Sequence, residues 1–226
     1  DTEVLLNLLI KEGRKCLNKL NGMFSFIFYD KLEKSWIAGR DHFGIKPLYY
    51  YEFKNGDIVF ASEIKALFCL NTIKPQCNSD ILFEYLQFQF SLDNETLFKG
   101  VKKLKPACYM LGSLYENHVR EQNKWWNVEY KIDEEHNEDW FFDRLNFLIL
   151  DSIQLQTRSD VSLGSYLSGG LDSSLISVLA SNYLNTTIPC FHGKFDQYKD
   201  YDESEFANQV VNSSNLVLNE VSPSPE

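Results

Sequence analysis

Basic residues are scarce in this sequence relative to acidic ones. Its 226 residues include 22 lysines and arginines against 32 aspartates and glutamates, which gives a formal net charge of −10. Nucleic-acid binding usually depends on a basic surface that neutralises phosphates. The charge balance therefore argues against DNA or RNA as a partner.

Long apolar stretches are also absent. No run approaches the roughly 18 residues that suggest a membrane-spanning helix, and the first residues lack the basic and apolar segments of a secretion signal. We therefore expect no membrane partner and a cytoplasmic protein.

Closely spaced cysteine pairs are missing as well. The five cysteines show no C-x-x-C spacing of the kind that zinc and redox sites use; they are Cys16, Cys69, Cys77, Cys108 and Cys190. We expect them to be reduced and structural.

The first part of the sequence contains both helix and strand patterns. Residues 2–19 carry apolar side chains at helical spacing, which predicts an amphipathic helix. Aromatic and β-branched runs separated by turn signals then predict strands that pair consecutively as a meander. The predicted strands are 22–30, 35–41, 47–53 and 57–62, and the predicted helices are 61–68 and 78–88, the latter capped by Asn78 or Ser79.

A second unit follows a polar stretch at residues 113–137, which we interpret as a connection. A helix is predicted over 138–156. Beyond it the patterns alternate as strand 162–167, loop 168–173, helix 174–184, strand 187–195 and helix 203–211. Such alternation predicts a parallel sheet with helices on its faces and a ligand outside the carboxyl ends of the strands.

The loop "SGGLDSS" (168–174) lies at that end of the predicted sheet. Gly169 and Gly170 allow the backbone to approach a bulky anion, and the N–H groups of residues 171–174 open a helix whose positive end favours phosphate. The hydroxyls of Ser168, Ser173 and Ser174 can add hydrogen bonds. Because a carboxylate would repel an anion directly, Asp172 implies a magnesium ion between them.

Other motifs with related patterns do not fit this loop. It lacks the lysine of the P-loop G-x-x-x-x-G-K-[ST], and no G-x-S-x-G nucleophile elbow aligns with it. A serine- and glycine-rich turn with a purely structural role is the remaining alternative.

The stretch "SDVSLGSYLSGGLDSSLIS" (159–177) resembles the pyrophosphate-binding loop of the ATP-pyrophosphatase family, and within it the glutamine-dependent asparagine synthetases. Earlier stretches resemble the class II glutamine amidotransferase domain that precedes this loop in the same enzymes. They are "LNGMFSFIFYD" (20–30), "AGRDHFGIKPLYY" (38–50), "FASEIKAL" (60–67) and "TLFKGVKKLKP" (96–106).

The resemblance implies a two-part fold. Residues 1–112 would be a partial α+β glutaminase domain of the N-terminal-nucleophile type, and residues 113–137 a connection. Residues 138–226 would begin an α/β parallel-sheet synthetase domain of the adenine-nucleotide α-hydrolase-like type. The family's nucleophile is a cysteine at the mature N-terminus, whereas this chain begins with Asp1 and stops before the family's aspartate-binding region. We therefore expect an internal fragment, with its catalytic cysteine outside the chain and no catalytic residue within it.

The resemblance also implies site residues. Asp1 would hold the α-ammonium group of glutamine, Asp172 would hold Mg²⁺, and the backbone of Leu167 would lie beside adenine. The expected ATP and pyrophosphate contacts are Leu167, Ser168, Gly169, Gly170, Leu171, Asp172, Ser173 and Ser174.

The implied activity is that of a ligase. Glutamine hydrolysis supplies ammonia, ATP activates aspartate as β-aspartyl-AMP, and ammonia displaces AMP to give asparagine. ATP and Mg²⁺ are the expected cofactors, glutamine, aspartate and ATP the expected small-molecule partners, and a homodimer the expected assembly. Two alternatives stay open: an amidotransferase of the same architecture acting on another carboxylate, such as a sugar acid or a β-lactam precursor, and a non-catalytic ATP-binding remnant.

Several conspicuous residues receive structural roles. Cys16 falls on the apolar side of its predicted helix and is expected to pack there. Arg40 and Asp41 are expected to brace a turn at Gly44 through a local ion pair. Three further pairs are assigned no site role: His42 and His192 as isolated histidines, Trp125 and Trp126 as packing between the units, and Asp202 and Glu203 as caps of the following helix.

Overall fold

A computed structural model describes residues 1–114, 122–195 and 202–223. The chain divides into two compact units, Asp1–Tyr130 and Lys131–Glu226. Within the described residues, no helix combines the length and the apolar character that crossing a membrane requires.

The first unit contains helices and two antiparallel sheets. Its elements are α1 (Thr2–Glu12), a 3₁₀ helix (Gly13–Lys19), β1 (Ser25–Asp30), β2 (Ser35–Arg40), β3 (Tyr49–Glu52), β4 (Ile58–Ala61), α2 (Ile64–Leu67), α3 (Ser79–Phe88), β5 (Val101–Lys103), β6 (Cys108–Ser113) and β7 (Gln122–Lys124). One sheet has the strand order β1-β2-β6-β7 and the other β4-β3-β5.

The predicted meander is therefore wrong, because β2 pairs with β6 and not with β3. The two sheets instead pack face to face. Trp36 and Ala38 of β2 lie in one buried cluster with Tyr50 of β3 and with Leu48, which precedes β3. On the other face of β2, Ile37 packs with the helical residues at the start of the chain. Side chains that alternate along β2 are therefore buried on both faces of this strand. If β3 paired with the edge of β2, its sheet would not cover the face that carries Trp36 and Ala38.

The single helix predicted over 2–19 is also corrected. α1 ends at Glu12, because Gly13 takes a positive φ of 57° and the chain continues as a 3₁₀ helix. Glycine reaches this conformation without the strain of a Cβ and commonly ends helices. At the predicted cap of the helix over 78–88, Asn78 precedes α3 but its side chain makes no capping hydrogen bond.

The stretch predicted as a connection contains part of the first unit. β7 pairs with β6, and Trp125 stacks on Phe24 while its Nε1–H donates to the carbonyl of Arg40 at 3.2 Å. Trp126 lies edge-on to His42 and Phe43. Both tryptophans therefore pack against residues of the first unit, and their expected packing between the units stays a prediction.

The second unit is an α/β structure with a parallel sheet. Its elements are α4 (Glu138–Gln156), β8 (Ser165–Tyr166), α5 (Leu171–Leu184), β9 (Ile188–Gly193), α6 (Ser204–Asn212) and β10 (Leu216–Val221). The strand order is β10-β9-β8 with parallel pairing throughout. The predicted alternation is present, with β8 shorter than expected and β10 not foreseen. One core unites the elements through Ile153, Leu167, Ala180, Ile188, Cys190, Ala207 and Leu216.

Candidate functional site

The glycine-rich loop connects β8 to α5 at the carboxyl end of the parallel sheet. Gly169 has φ +88°, and a Cβ there would lie 2.5 Å from Cβ of Phe206 and 2.6 Å from the backbone nitrogen of Ala207. Real Cβ contacts are not this short, so only glycine fits. The loop backbone therefore lies directly against the first turn of α6.

Backbone donors are open at the start of α5. The N–H groups of Leu171, Asp172 and Ser173 make no hydrogen bond within the described residues, whereas the N–H of Ser174 donates to the carbonyl of Gly170 at 3.1 Å. Of the four N–H groups predicted to be open, those of residues 171–173 are open and that of Ser174 is not. Three N–H groups at the positive end of a 14-residue helix form an arrangement that favours an anion.

The serine hydroxyls of the loop bond mainly to the loop itself. Ser173 Oγ donates to the carbonyl of Gly170 at 3.2 Å and lies 3.0 Å from Ser168 Oγ, which accepts the N–H of Gly170 at 3.2 Å. Ser174 Oγ is buried and has no hydrogen-bond partner within the described residues. Ser168 and Ser173 therefore shape the loop, and the backbone N–H groups are its open donors.

Asp172 is exposed in the first turn of α5. Its carboxylate forms no ion pair in the described part of the chain, where no group of three or more metal-ligating side chains occurs either. Mg²⁺ typically binds one or two carboxylates together with substrate phosphates and water. A single free carboxylate beside open N–H donors fits a metal held jointly with a phosphate ligand.

A pocket of about 250 Å³ opens where β8 and β9 end. Leu167, Ser168, His192 and Glu203 are among its lining residues. The N–H of Leu167 donates to the carbonyl of Phe191 at 3.0 Å, and its carbonyl lies 2.8 Å from His192 Nδ1. The backbone of Leu167, expected beside adenine, is thus largely engaged within the protein, and only its carbonyl retains acceptor capacity.

Sequence reasoning missed His192. It is only 6% exposed, and its Nε2 lies 3.1 Å from Ser204 Oγ. The hydroxyl and the N–H of Ser204 both donate to Asp202, which lowers the pKa of that carboxyl below its usual value. Alternation along β9 was the available signal, because it places His192 on the buried face with Ile188 and Cys190, and a buried polar side chain needs partners.

Asp1, expected to bind glutamine, lies at the start of α1. Its carboxylate is exposed and accepts the N–H of Thr2 at 2.7 Å, which is a helix-capping contact. Its expected contact with glutamine stays a prediction.

Burial affects the thiols of three of the five cysteines. All five are free, and burial raises the pKa of Cys16, Cys108 and Cys190 above the usual range. A buried, protonated thiol is a poor nucleophile. Cys16 is fully buried in the first unit, in agreement with its expected packing role.

The turn near Arg40 and Asp41 is structural, but not for the expected reason. No ion pair joins these two residues in the described structure; Arg40 instead donates to the carbonyls of Gly44, Lys46 and Leu104. Asp41 accepts four backbone N–H groups. Side-chain to backbone hydrogen bonds therefore hold the turn together.

Comparison with known protein families gives two matches. Residues 1–126 match a family model described as a glutamine amidotransferase domain, and residues 144–225 match one described as asparagine synthase.

Individual relatives align over most of the chain. A putative glutamine-hydrolysing asparagine synthetase from Methanocaldococcus jannaschii is 30% identical over 87% of this chain and 39% of its own length. Asparagine synthetase 1 of Bacillus subtilis is 33% identical over 93% of this chain and 32% of its own length. Amidase chyE of Penicillium rubens is 27% identical over 94% of this chain and 33% of its own length. The chain thus spans about a third of the length of these relatives.

Proposed function

Because the chain belongs to the glutamine-dependent asparagine synthetase family, we propose that it forms part of a ligase that makes asparagine from aspartate. Glutamine hydrolysis supplies the ammonia, and adenylyl transfer from ATP activates the carboxylate. The supporting observation is the loop at residues 168–174, where three open N–H groups, a free carboxylate and a glycine without room for a Cβ occur together. In finer terms, we assign the first unit to the N-terminal-nucleophile glutaminase fold and the second to the adenine-nucleotide α-hydrolase-like fold.

The proposed chemistry requires stabilisation of a pyrophosphate leaving group. The N–H groups of Leu171, Asp172 and Ser173 are fixed by α5, so they can donate to the departing phosphates without reorganising. Asp172 would hold Mg²⁺ against the same phosphates, and the ion would supply charge neutralisation there. Ser168 and Ser173 keep the loop in the shape that presents these donors.

A second candidate is an amidotransferase of the same architecture that acts on another carboxylate. It is favoured by the relatives named amidase, from Penicillium rubens and Gibberella zeae, which align over 94% and 93% of this chain. In the protein that contains this chain, with ammonia supplied directly, pyrophosphate release that requires aspartate supports asparagine synthesis. Release with other carboxylates but not with aspartate supports the second candidate.

Replacing Asp172 by asparagine tests the nucleotide site itself. The substitution nearly preserves shape but removes the charge, so we expect the affinity for Mg·ATP to fall at least about tenfold, while binding of ATP in chelator changes little. Isothermal titration calorimetry on the 226-residue chain measures both. Asp143→Asn, on the exposed surface of α4, is the matched control and should bind as the unaltered chain does.

Two outcomes would contradict the assignment. Equal Mg·ATP affinity in the Asp172→Asn variant would remove the metal role of Asp172. Absence of Mg·ATP binding to the unaltered, folded chain would refute the nucleotide site.

A further inference from the structure

His192 contacts two residues that adjoin the glycine-rich loop 168–174, one in the strand before it and one in the helix that packs against it. Its Nδ1 lies 2.8 Å from the carbonyl of Leu167, the residue that leads into the loop from β8. Its Nε2 lies 3.1 Å from the hydroxyl of Ser204, the first residue of α6. The ring therefore connects the strand before the loop with the helix that packs behind it.

The partner atoms fix the direction of two of these hydrogen bonds. A carbonyl only accepts, so Nδ1 of His192 donates to Leu167. The hydroxyl of Ser204 has a single hydrogen and gives it to the carboxylate of Asp202. Nε2 of His192 lies 3.1 Å from the same oxygen, within hydrogen-bond distance. Asp202 Oδ1 lies 4.0 Å from Nε2, so the ring, the hydroxyl and the carboxylate form one continuous set of contacts.

Helix α6, in which Ser204 lies, also contacts the loop directly. Its first turn contains Phe206 and Ala207, whose atoms occupy the space that a Cβ on Gly169 would need. Ser204 is 8% exposed and lies in the same turn. A displacement of this turn would therefore change the space available to the backbone of Gly169.

We propose that His192 is a positioning residue of the nucleotide site, bonding Leu167 on one side and, through Ser204 and Asp202, the start of α6 on the other. The proposal rests on the proposed function, in which this loop binds the phosphates of ATP. His192 does not itself need to touch the nucleotide. It holds the two supports of the loop at the separation that presents the N–H groups of residues 171–173 in one direction.

Two amide substitutions separate the two contacts of the ring. The side-chain nitrogen of asparagine occupies about the position of Nδ1, so His192→Asn retains the bond to Leu167 and loses the one to Ser204. Glutamine places its nitrogen near Nε2, so His192→Gln does the reverse. Ser204→Ala removes the second contact while the ring is intact, and Ser213→Ala, whose hydroxyl bonds only to carbonyls at the end of α6, is the matched control.

The first readout is amide hydrogen exchange in the 226-residue chain without ligand. We expect exchange at Leu167, Gly170 and Ser174 to accelerate at least about tenfold in His192→Asn, His192→Gln and Ser204→Ala, while Leu218 in β10 and the Ser213→Ala control keep normal exchange. The second readout is Mg·ATP affinity, which should fall about tenfold in the same three variants. The third is the ¹⁵N spectrum of the His192 ring, which should show a proton on Nδ1, since the carbonyl of Leu167 can only accept.

The outcomes that overturn the proposal differ from those that overturn the function. Unchanged exchange at the loop amides would show that His192 does not position the loop. Equal acceleration at Leu218 would show that its role is merely structural. A ring without a proton on Nδ1 would contradict the hydrogen bond to Leu167. If the unaltered chain binds no Mg·ATP, the proposed function fails, and the exchange measurements still decide whether His192 positions the loop.

Discussion

At the scale of single residues, Asp41 shows how a buried charge is accommodated. It is 1% exposed, and burial alone would raise its pKa, but hydrogen bonds from the backbone N–H groups of Lys46, Ile45, Phe24 and Phe43 outweigh that effect and lower it. Sequence reasoning recognised the turn but expected an ion pair. The difference arises because the N–H groups that converge on Asp41 come from two separated segments, and only the folded chain brings them together.

Replacing Asp41 by asparagine should lower the free energy of unfolding by about 3 kcal/mol, because an amide NH₂ would then face backbone N–H groups that need an acceptor. Chemical denaturation of the 226-residue chain measures the change. Asp57→Asn, at an exposed turn, is the control and should change stability by less than about 0.5 kcal/mol.

The same residue gives a pH dependence. Since the pKa of Asp41 is lower in the folded state than in the unfolded state, its stabilising contribution is complete above the unfolded pKa of about 4. It is lost as the pH falls through the folded pKa. The stability difference between the unaltered chain and Asp41→Asn should therefore shrink below about pH 4, and a difference that grows on acidification would contradict this account.

At the scale of elements, the contact between the glycine-rich loop and α6 shapes the candidate site. The sequence already indicated a loop that needs glycine, since Gly169 and Gly170 stand between a strand and a helix pattern. It did not indicate which glycine is indispensable. Gly169 has the positive φ and the short contacts, whereas Gly170 has φ −67° and meets only Ser168 Oγ at 3.2 Å.

Gly169→Ala should therefore destabilise the second unit by about 2–4 kcal/mol, because the new methyl group forces α6 away and the backbone keeps a strained φ. Thermal unfolding followed by circular dichroism measures the loss. Gly170→Ala is the matched comparison and should cost less than about 1 kcal/mol. Equal losses in the two variants would show that the contact between Gly169 and α6 contributes little.

At the scale of the whole molecule, the two units match two different family models, and the chain spans about a third of the length of its relatives. The class II amidotransferase resemblance predicts a cysteine nucleophile for glutamine hydrolysis. The five cysteines of this chain include three whose pKa is raised by burial. The two others, Cys69 and Cys77, are exposed.

We expect the 226-residue chain to release no glutamate from glutamine, because three of its thiols are buried and the other two lie on the exposed surface, whereas thiol catalysis needs a thiolate beside bound substrate. A coupled glutamate dehydrogenase assay measures the release. Chain alkylated with iodoacetamide serves as the control and should give the same background rate. Release that alkylation abolishes, and that is lost in Cys69→Ser or Cys77→Ser, would contradict the prediction.

The sequence by itself determined the alternation of helices and strands from α4 to α6, the position of α4, the glycine-rich loop and the family resemblance. These features depend on local periodicity and on short contiguous motifs, which are readable before folding. Tertiary structure decided the pairing of β2 with β6, the location of Trp125 and the partners of His192. Each depends on residues that are distant in sequence, so its energy arises only when packing brings Leu167, His192 and Ser204, or Phe24 and Trp125, into contact.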